Sequence, residues 1–108
     1  MIARGAVCWA EPAGGSTRFP VVVVQADAFN RSRIPTIVVV PLSANPRLGQ
    51  APGNVPVPAR LSGLGRDTVA NVAQVLTLDR RNLKETSGRL GPELVAQVAA
   101  GLRLSLDL

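Results

Sequence analysis

The sequence predicts an α+β fold that is mainly β, a small barrel followed by a C-terminal helix. Two short runs rich in Val and Ile, Pro20–Gln25 and Thr36–Leu42, enclose a polar turn and are typical of buried strands. Near the end of the chain, Leu94, Val98 and Leu102 recur at intervals of four residues, which is the spacing of an amphipathic helix. Strands joined by turns and one helix therefore predict a single sheet-based domain.

Length and composition set the class of protein that we expect. The chain has 108 residues, which predicts one domain over 1–108 with a modest core. No apolar run approaches the roughly 18 residues that a membrane span needs, and the start lacks a secretory signal pattern, so we expect a cytoplasmic protein that does not contact membranes. The single cysteine, Cys8, cannot form an internal disulfide, which agrees with a reducing compartment.

Residues 4–11 predict the first strand. Trp9 lies with Val7 on one face of this strand, and Cys8 lies on the other. Cys8 is either a small core residue or a reactive thiol. Trp9 is either a core residue or a platform on which bases stack beside a groove.

The two apolar runs predict a hairpin with a long connecting loop. The loop that precedes them, Pro12–Phe19, contains two adjacent glycines and is either a plain connection or a mobile lip over a binding cleft, with Arg18 at its base. The turn between the runs contains Arg31 and Arg33, which are either solvated charges or phosphate contacts.

The middle of the chain predicts a second long loop and two further strands. The loop 43–54 is polar, and loops of this length in small domains are often functional. Val55–Ala59 alternates Val with Pro and predicts an edge strand, because Pro cannot donate to a central ladder. After a turn at Leu61–Arg66, the alternation in Asp67–Leu78 predicts one continuous strand. Its Gln74 is either a satisfied amide at the barrel rim or a group directed at a ligand.

The C-terminal third predicts a capped helical turn, a short strand and the helix. Asp79 is expected to cap the turn, and a last strand follows at 86–90. The helix begins at Gly91-Pro92-Glu93, with Pro in its first turn and an acid near the positive end of its dipole. Gly101 is expected to weaken this helix by about 1 kcal/mol relative to Ala.

Positive charge is concentrated in the middle of the chain. The net charge is +5, and eleven of the twelve cations are Arg. The excess of Arg over Lys reflects either a genome that favours Arg codons or a functional need for Arg, but codon bias does not explain the lack of any acid between Asp27 and Asp67. Five arginines lie in this acid-free stretch: Arg31, Arg33, Arg47, Arg60 and Arg66. This clustering predicts a polyanionic partner, either nucleic acid or an acidic protein tail.

The residue inventory excludes several kinds of active site. The chain has no His and no Tyr, and Cys8 is its one cysteine. A Ser-His-Asp triad, a His-pair ribonuclease and a catalytic zinc site are therefore excluded, and no P-loop motif is present. Any chemistry has to come from Arg, hydroxyls, carboxylates, amides and the backbone, so we expect no cofactor and no metal.

The order of these motifs resembles the MazF/PemK family of toxins, which are sequence-specific mRNA endoribonucleases (mRNA interferases) of bacterial type II toxin–antitoxin systems. The resemblance covers the whole chain as a single toxin domain. It is strongest at Gly5–Pro12, Pro20–Asn30, Val40–Asn45, Arg66–Asp79 and Leu90–Leu108. It implies an SH3-like (CcdB/PemK-type) barrel with a C-terminal helix, and a homodimer that binds RNA along its interface. It also implies a cognate antitoxin whose acidic, initially disordered tail blocks the groove.

The resemblance also implies a reaction. Single-stranded RNA would be cut without metal by attack of its own 2′-hydroxyl, leaving a 2′,3′-cyclic phosphate and a 5′-hydroxyl and inhibiting translation and growth. The protein must then position the RNA and stabilise charge on the phosphorane, for which Arg is well suited. The family pairs an Arg just before the Pro of the first apolar strand with a Thr or Ser at the end of the second, where this chain has Ser43. The RNA-binding residues implied are Gly15, Ser16, Thr17, Asn30, Arg31, Asn45, Arg47 and Gln74.

The chain departs from the family pattern at the position of the catalytic Arg. The family commonly reads G-S-E-x-x-G-x-R-P, whereas this chain reads G-G-S-T-R-F-P, so Phe19 precedes Pro20 and Arg18 is displaced by one residue. A shift of one residue turns a strand side chain to the opposite face. Either Arg18 serves as the catalytic cation with Ser43, or the protein is a weakened or silent variant that still binds RNA or antitoxin. A CcdB-like gyrase poison on the same fold is a further alternative.

Overall fold

The computed structural model describes residues 2–12, 14–15 and 17–108. The strands of this part of the chain are β1 (Ala6–Ala10), β2 (Phe19–Val23), β3 (Thr36–Ser43), β4 (Val55–Val57), β5 (Thr68–Ala70), β6 (Leu76–Asp79) and β7 (Leu83–Arg89). The helices are α1 (Asp27–Asn30), α2 (Ala59–Ser62) and α3 (Pro92–Leu106), and 3-10 turns lie at Pro46–Gln50 and Arg80–Asn82. The strands pair antiparallel in the order β4-β5-β3-β2-β1-β7, and β6 also pairs with β3.

This arrangement is a mainly β, curled antiparallel sheet with a C-terminal helix, which confirms the predicted fold class. The predicted hairpin is confirmed by the pairing of β2 with β3. The Val-Pro segment forms β4 at the end of the strand order, as its prolines predict. None of the helices in the described residues has the length and apolar character needed to cross a bilayer.

Apolar cores lie on both faces of the β1–β2–β3 sheet, because the side chains of each strand alternate in direction. One core contains Val7, Val22 and Val40, and Val98 of α3 belongs to it. The other contains Cys8, Val21, Ile37 and Val39. The alternation predicted for β1 is therefore confirmed, and Cys8, which is 1% exposed, is a core residue.

The expected single strand over Asp67–Leu78 is interrupted in the middle, so that prediction is wrong. Both halves, β5 and β6, pair with the same edge of β3. Ala70 pairs with Leu42 and Leu76 pairs with Val39, so six residue steps on this segment match three on β3. The excess of three residues leaves the ladder as a bulge. The alternation looked continuous because both halves do pair, and a single turn-type residue, Asn71, is too weak a signal to mark the bulge.

The bulge is held by the loop before β4 and by α3. Asn54 accepts a hydrogen bond from the Val72 amide at 2.9 Å and donates one to the Leu48 carbonyl at 2.9 Å. Ser105 of α3 donates to the Val72 carbonyl at 3.2 Å. The chain thus leaves the β3 edge at a point where two separate segments satisfy the backbone of Val72.

The turn predicted at Leu61–Arg66 also differs, because its first residues belong to helix α2. Asp67 Oδ1 accepts the Ala59 amide at 2.9 Å and so supports the start of this helix from eight residues further along the chain. Gly63 ends the helix with a φ of +77°, and a Cβ there would collide with the Ser87 carbonyl of β7. Contacts with residues distant in sequence therefore stabilise a helix of four residues, which local pattern does not predict.

The C-terminal elements agree with the sequence, except that β7 begins at Leu83, three residues before the strand predicted at 86–90. Asp79 caps the Arg80–Asn82 turn by accepting the Arg81 amide at 2.9 Å. Helix α3 begins at Pro92 with Glu93 in its first turn, as predicted. Gly101 is buried against Gly53 and Val72.

Candidate nucleic-acid interface

A cleft of about 350 Å³ opens at one end of the sheet, and we call it the Trp9 cleft. It is lined by Trp9, Arg18, Pro20, Leu42, Ala44, Leu64, Arg66 and Thr68. Two of these side chains are guanidinium groups and none is an acid. The cleft therefore combines an aromatic ring with two positively charged, planar side chains.

Arg18 lies over the indole of Trp9. Its guanidinium carbon is 4.5 Å from the ring centroid, which is within the range of a cation–π contact. Its Nη1 atom is 3.8 Å from Glu11 Oε1 and 3.9 Å from Glu85 Oε1. These ion pairs are long and well solvated, so they contribute little to stability and leave the guanidinium available to a ligand.

On the other wall of the cleft, Arg66 is exposed and Thr68 is buried. Thr68 Oγ1 is the one buried side-chain oxygen or nitrogen in the described residues that has no hydrogen-bond partner. A buried hydroxyl is normally hydrogen-bonded, so this oxygen identifies a place where a polar partner is missing.

Ser43 lines a second cleft, of about 290 Å³, which we call the Ser43 cleft. Its walls are Ser43, Ala44, Pro46, Gly49, Pro56, Asp67, Thr68 and Val69. Ser43 Oγ accepts the Asn45 amide at 3.1 Å, so its own proton remains free to donate. Asn45 in turn accepts the Arg47 amide at 3.1 Å and caps the 3-10 turn that forms one side of this cleft.

The two clefts are neighbours that share Ala44 and Thr68. Arg18 and Ser43 nevertheless lie on opposite faces of the sheet. Arg18 lies beside Pro20 at the Trp9 cleft, whereas Ser43 alternates with Leu42 and has the same orientation as Val39. The structure therefore does not bring the expected Arg18–Ser43 pair together in one cleft.

Phe19 stands at the position across from Ser43. Val21 pairs with Pro41, and extending this register by two residues places Phe19 opposite Ser43 on the same face. Phe19 packs against the core on that face. The family pattern has Arg before the Pro, so the register explains why that position is suited to pair with a strand-end hydroxyl.

The remaining predicted RNA-binding residues that the structure describes do not line either cleft, and Arg31 lies in the turn at the far end of the β2–β3 hairpin. Gly15 and Thr17 are exposed, and Ser16 lies outside the described residues. Arg31, Arg47 and Gln74 are also exposed, with Gln74 on the bulge between β5 and β6. Their assignment to RNA stays a prediction.

Asn30 differs from the others because it is 2% exposed. Its Nδ2 donates to the Gln25 carbonyl at 2.9 Å and to Asp27 Oδ1 at 3.1 Å, and its Oδ1 accepts from Gln25 Nε2 at 3.0 Å. Both ends of the amide are therefore occupied within the turn. Arg80 adds three further bonds to carbonyls of this turn, at Ile34, Asn30 and Phe29. The Asn30 side chain therefore supports the turn, and its assignment to RNA stays a prediction.

Two ionisable groups near these elements have shifted pKa values. The Arg4 amide and then the Asn30 side chain bond to Asp27 and hold the pKa of its carboxyl below the ordinary value. Burial raises the pKa of the Cys8 thiol, which favours the structural role of Cys8 over the reactive one. Over the residues that the structure describes, no three metal-ligating side chains come together.

Three residues of the clefts were not singled out as site residues from the sequence: Arg66, Asp67 and Thr68. The acid-free stretch included Arg66 but gave no reason to prefer it to the other arginines there. Thr68 and Asp67 carried no signal at all, because only the curl of the sheet places β5 beside the end of β3. Trp9, for which two roles were left open, borders a cleft and is only partly buried.

Comparison with known proteins gives a consistent result. Residues 3–106 match the family described as PemK-like, MazF-like toxin of type II toxin–antitoxin system. The chain is 38% identical over 113 residues to endoribonuclease MazF2 of Mycobacterium bovis, covering 100% of this chain and 99% of that protein. It is 32% identical to endoribonuclease EndoA of Bacillus subtilis, covering 100% and 97%. Among solved structures, a mycobacterial endoribonuclease in complex with its cognate antitoxin superposes with a TM-score of 0.79 at 21% identity, covering 99% of this chain and 94% of that one.

Proposed function

The chain belongs to the family of PemK-like, MazF-like toxins of type II toxin–antitoxin systems, and from that premise we propose that it is a metal-independent endoribonuclease that cleaves single-stranded RNA. The proposal extends to sequence-specific cleavage of mRNA and to inhibition of translation and growth. One observation carries it: a cleft with two arginines adjoins a cleft in which a serine hydroxyl has a free proton. Phosphate oxygens accept hydrogen bonds from both kinds of donor.

The two clefts suggest a path for the RNA. Because the clefts share Ala44 and Thr68, a single-stranded RNA bound in one cleft can continue directly into the other. In this arrangement Arg18 and Arg66 bind the RNA on one side, and Ser43 contacts the scissile phosphate on the other. The proposal therefore assigns Arg18 to RNA binding, because the sheet separates it from Ser43.

The reaction follows from the RNA's own nucleophile. The 2′-oxygen forms a bond to phosphorus while its proton passes to a base, and the bond from phosphorus to the 5′-oxygen breaks. The 5′-oxygen takes a proton from water and leaves as a hydroxyl, and the other product is a 2′,3′-cyclic phosphate. Ser43 donates a hydrogen bond to a phosphate oxygen as negative charge develops. Asp67, the one carboxylate that lines the Ser43 cleft, is the proposed proton acceptor.

Phe19 favours a second candidate function, a variant that binds RNA or antitoxin without cutting. The phenyl ring at the position across from Ser43 supplies no charge to the phosphorane. On the leading proposal, Phe19 makes the enzyme slow but not inactive, because positioning and the Ser43 hydroxyl remain.

We also propose a homodimer and a cognate antitoxin as partners. The antitoxin would carry an acidic, initially disordered tail that competes with RNA for the basic surface, which the net charge of +5 supports. The solved mycobacterial neighbour was crystallised with its own antitoxin. Light scattering at micromolar concentration tests the dimer, and acidic-tail peptides in the cleavage assay test the competition.

The cleavage proposal is tested with purified protein and a mixed pool of single-stranded RNA in EDTA. We expect slow cleavage that leaves 2′,3′-cyclic phosphates and 5′-hydroxyls, and no cleavage of DNA of the same sequences. Ser43→Ala should reduce the rate by about 100-fold, the usual effect of losing one donor to a developing charge. Thr77→Ala, which removes an exposed hydroxyl on β6, is the matched control and should leave the rate unchanged.

The absence of any cleavage by protein whose folding has been verified would contradict the endoribonuclease assignment. Equal activity of Ser43→Ala and the wild-type protein would contradict the role given to Ser43. Cleavage of DNA, or products with 5′-phosphates, would contradict the 2′-hydroxyl mechanism. RNA binding without cleavage would support the silent variant.

A further inference from the structure

The Trp9 cleft presents layered planar groups that the cleavage chemistry does not use. The indole of Trp9 forms the first layer, and the guanidinium of Arg18 lies over it at 4.5 Å. Arg18 also lines the cleft, so its guanidinium borders the open space in which a ligand would lie. RNA bases stack on aromatic rings and on guanidinium planes alike.

The edge of the Arg18 guanidinium is already directed at acids. Nη1 lies within 4.0 Å of carboxylates of Glu11 and Glu85, although both pairs are longer than a hydrogen bond. These contacts are made by Nη1, and the negative charge of the two carboxylates disfavours a further carboxylate beside it. A carboxylate of a peptide binds Arg along the edge, whereas a base binds over the face.

The opposite wall supplies the contacts that a nucleotide needs besides stacking. Arg66 is exposed at the same cleft and provides a cation for a phosphate. Thr68 borders the cleft with an Oγ1 atom that has no partner among the described residues. The volume of about 350 Å³ falls in the range of small-ligand pockets.

We propose that the Trp9 cleft is a subsite for one unpaired nucleotide of the bound RNA, with its base stacked on Arg18 over Trp9 and its phosphate bound by Arg66. This rests on the proposed function in that the ligand is RNA, but it does not require that the RNA be cut. Trp9 acts as a positioning residue, because it holds the guanidinium plane that meets the base. Thr68 Oγ1 then gains the polar partner that the unliganded protein lacks.

The test measures binding without cleavage. The probe is a pool of single-stranded 2′-O-methyl pentanucleotides, which have no free 2′-hydroxyl. Trp9 is the single tryptophan and the chain has no tyrosine, so intrinsic fluorescence reports on this cleft. We expect a saturable change in fluorescence as the pool is added, and no change with inorganic phosphate at the same concentration.

Variants separate stacking from charge, and their binding is measured by the anisotropy of a labelled pool. Arg18→Lys keeps the positive charge but removes the planar guanidinium group. It should weaken binding about tenfold, as expected for the loss of one stacked base. Arg66→Gln should weaken binding and lower the slope of log affinity against log salt by about 1. Arg103→Gln removes a charge from an exposed side chain on α3 and should leave affinity unchanged.

Thr68→Val tests whether the Thr68 hydroxyl contacts the ligand, because a hydroxyl with only a structural role would not affect binding. It should raise the melting temperature of the free protein, because a buried unpaired oxygen is removed. It should also weaken binding of the pool, because the ligand loses that partner.

The outcomes distinguish the subsite from the nuclease. One outcome is that RNA is cleaved while the Trp9 fluorescence does not respond to the pool and Arg18→Lys binds the pool as tightly as Arg103→Gln does. In that case the proposed subsite is wrong and the endoribonuclease assignment is kept. If the pool behaves as expected and no RNA is cleaved, the subsite stands and the nuclease assignment fails. A fluorescence response to acidic peptides that the pool does not reproduce overturns the nucleotide subsite in favour of a peptide site.

Discussion

Replacing Phe19 with Arg is expected to accelerate RNA cleavage. The register of β2 with β3 places residue 19 opposite Ser43 on one face of the sheet. Directly opposite side chains in an antiparallel pair have Cβ atoms about 5 Å apart, which is less than the length of an Arg side chain. The new guanidinium would therefore reach a phosphate held at Ser43. Arg18 has no such access, since it lies on the other face beside Trp9.

The expected gain in cleavage rate follows from the negative charge that the new cation would stabilise in the transition state. A single donor to a developing charge changes the rate by about 100-fold to 1,000-fold, so we expect Phe19→Arg to raise the single-turnover rate by about 100-fold. Phe19 is partly buried against the core on that face, and its loss costs about 1–2 kcal/mol of folding free energy. The Arg stem can cover part of the same apolar surface, so the variant should remain folded.

The assay is single-turnover cleavage of single-stranded RNA in EDTA, with the melting temperature measured for each variant. Phe19→Leu is the matched control, because it removes the ring without adding charge, and it should not gain activity. Phe19→Arg combined with Ser43→Ala should lose most of the gain. A folded Phe19→Arg protein that cleaves no faster than Phe19→Leu would refute the assignment of residue 19 to the reaction centre.

Three further predictions concern stability and reactivity. Gly101→Ala should destabilise the protein by about 2 kcal/mol in urea unfolding despite the better helix propensity of Ala, because its Cβ would collide with the Gly53 carbonyl; an unchanged or higher midpoint would show that this contact relaxes freely. Cys8 should react with a thiol reagent only as fast as the protein opens, because it is buried and its thiol pKa is raised; labelling at the rate of a free thiol in native buffer would contradict this. The pKa of Asp27 is lower in the folded protein than the ordinary aspartate pKa, so the ionised carboxylate stabilises the fold at any pH above that ordinary value. This stabilisation is lost as the pH falls through the lowered pKa of the folded protein. Unfolding measured from neutral to acid pH should therefore show a smaller acid-side loss for Asp27→Asn than for wild type, and equal losses would exclude this role.

Much of the fold could be predicted because the local signals were strong. The Val-rich runs, the Val-Pro edge strand and the i, i+4 spacing of α3 each depend on a few neighbouring residues, and each of these elements is present. The bulge after Ala70 and helix α2 were missed because they depend on partners elsewhere in the chain. Asn54 and Ser105 satisfy the bulge, and Asp67 supports the start of α2.

The candidate site was less predictable than the fold. Ser43 could be predicted from its place at the end of an apolar run. Asn30 was implied to bind RNA by the family resemblance, but Gln25 and Asp27 occupy its amide. Arg66 and Thr68 could not be identified, because no local pattern in the sequence indicates that β5 lies beside the Trp9 cleft.

The sequence by itself determined which chemistry is open to this protein and which elements it forms. Without His or Tyr, and with its arginines in an acid-free stretch, the chain can act on a phosphate only through Arg, hydroxyls, carboxylates and backbone. The tertiary structure decided which of these groups meet. Strand register places Phe19 opposite Ser43 and Arg18 on the other face. The packing of α3 brings Gly101 so close to the Gly53 carbonyl that a larger residue would collide with it, although Gly has a low helix propensity. The reason is physical: composition and periodicity are properties of neighbours in the chain, whereas proximity between distant residues depends on register and curvature.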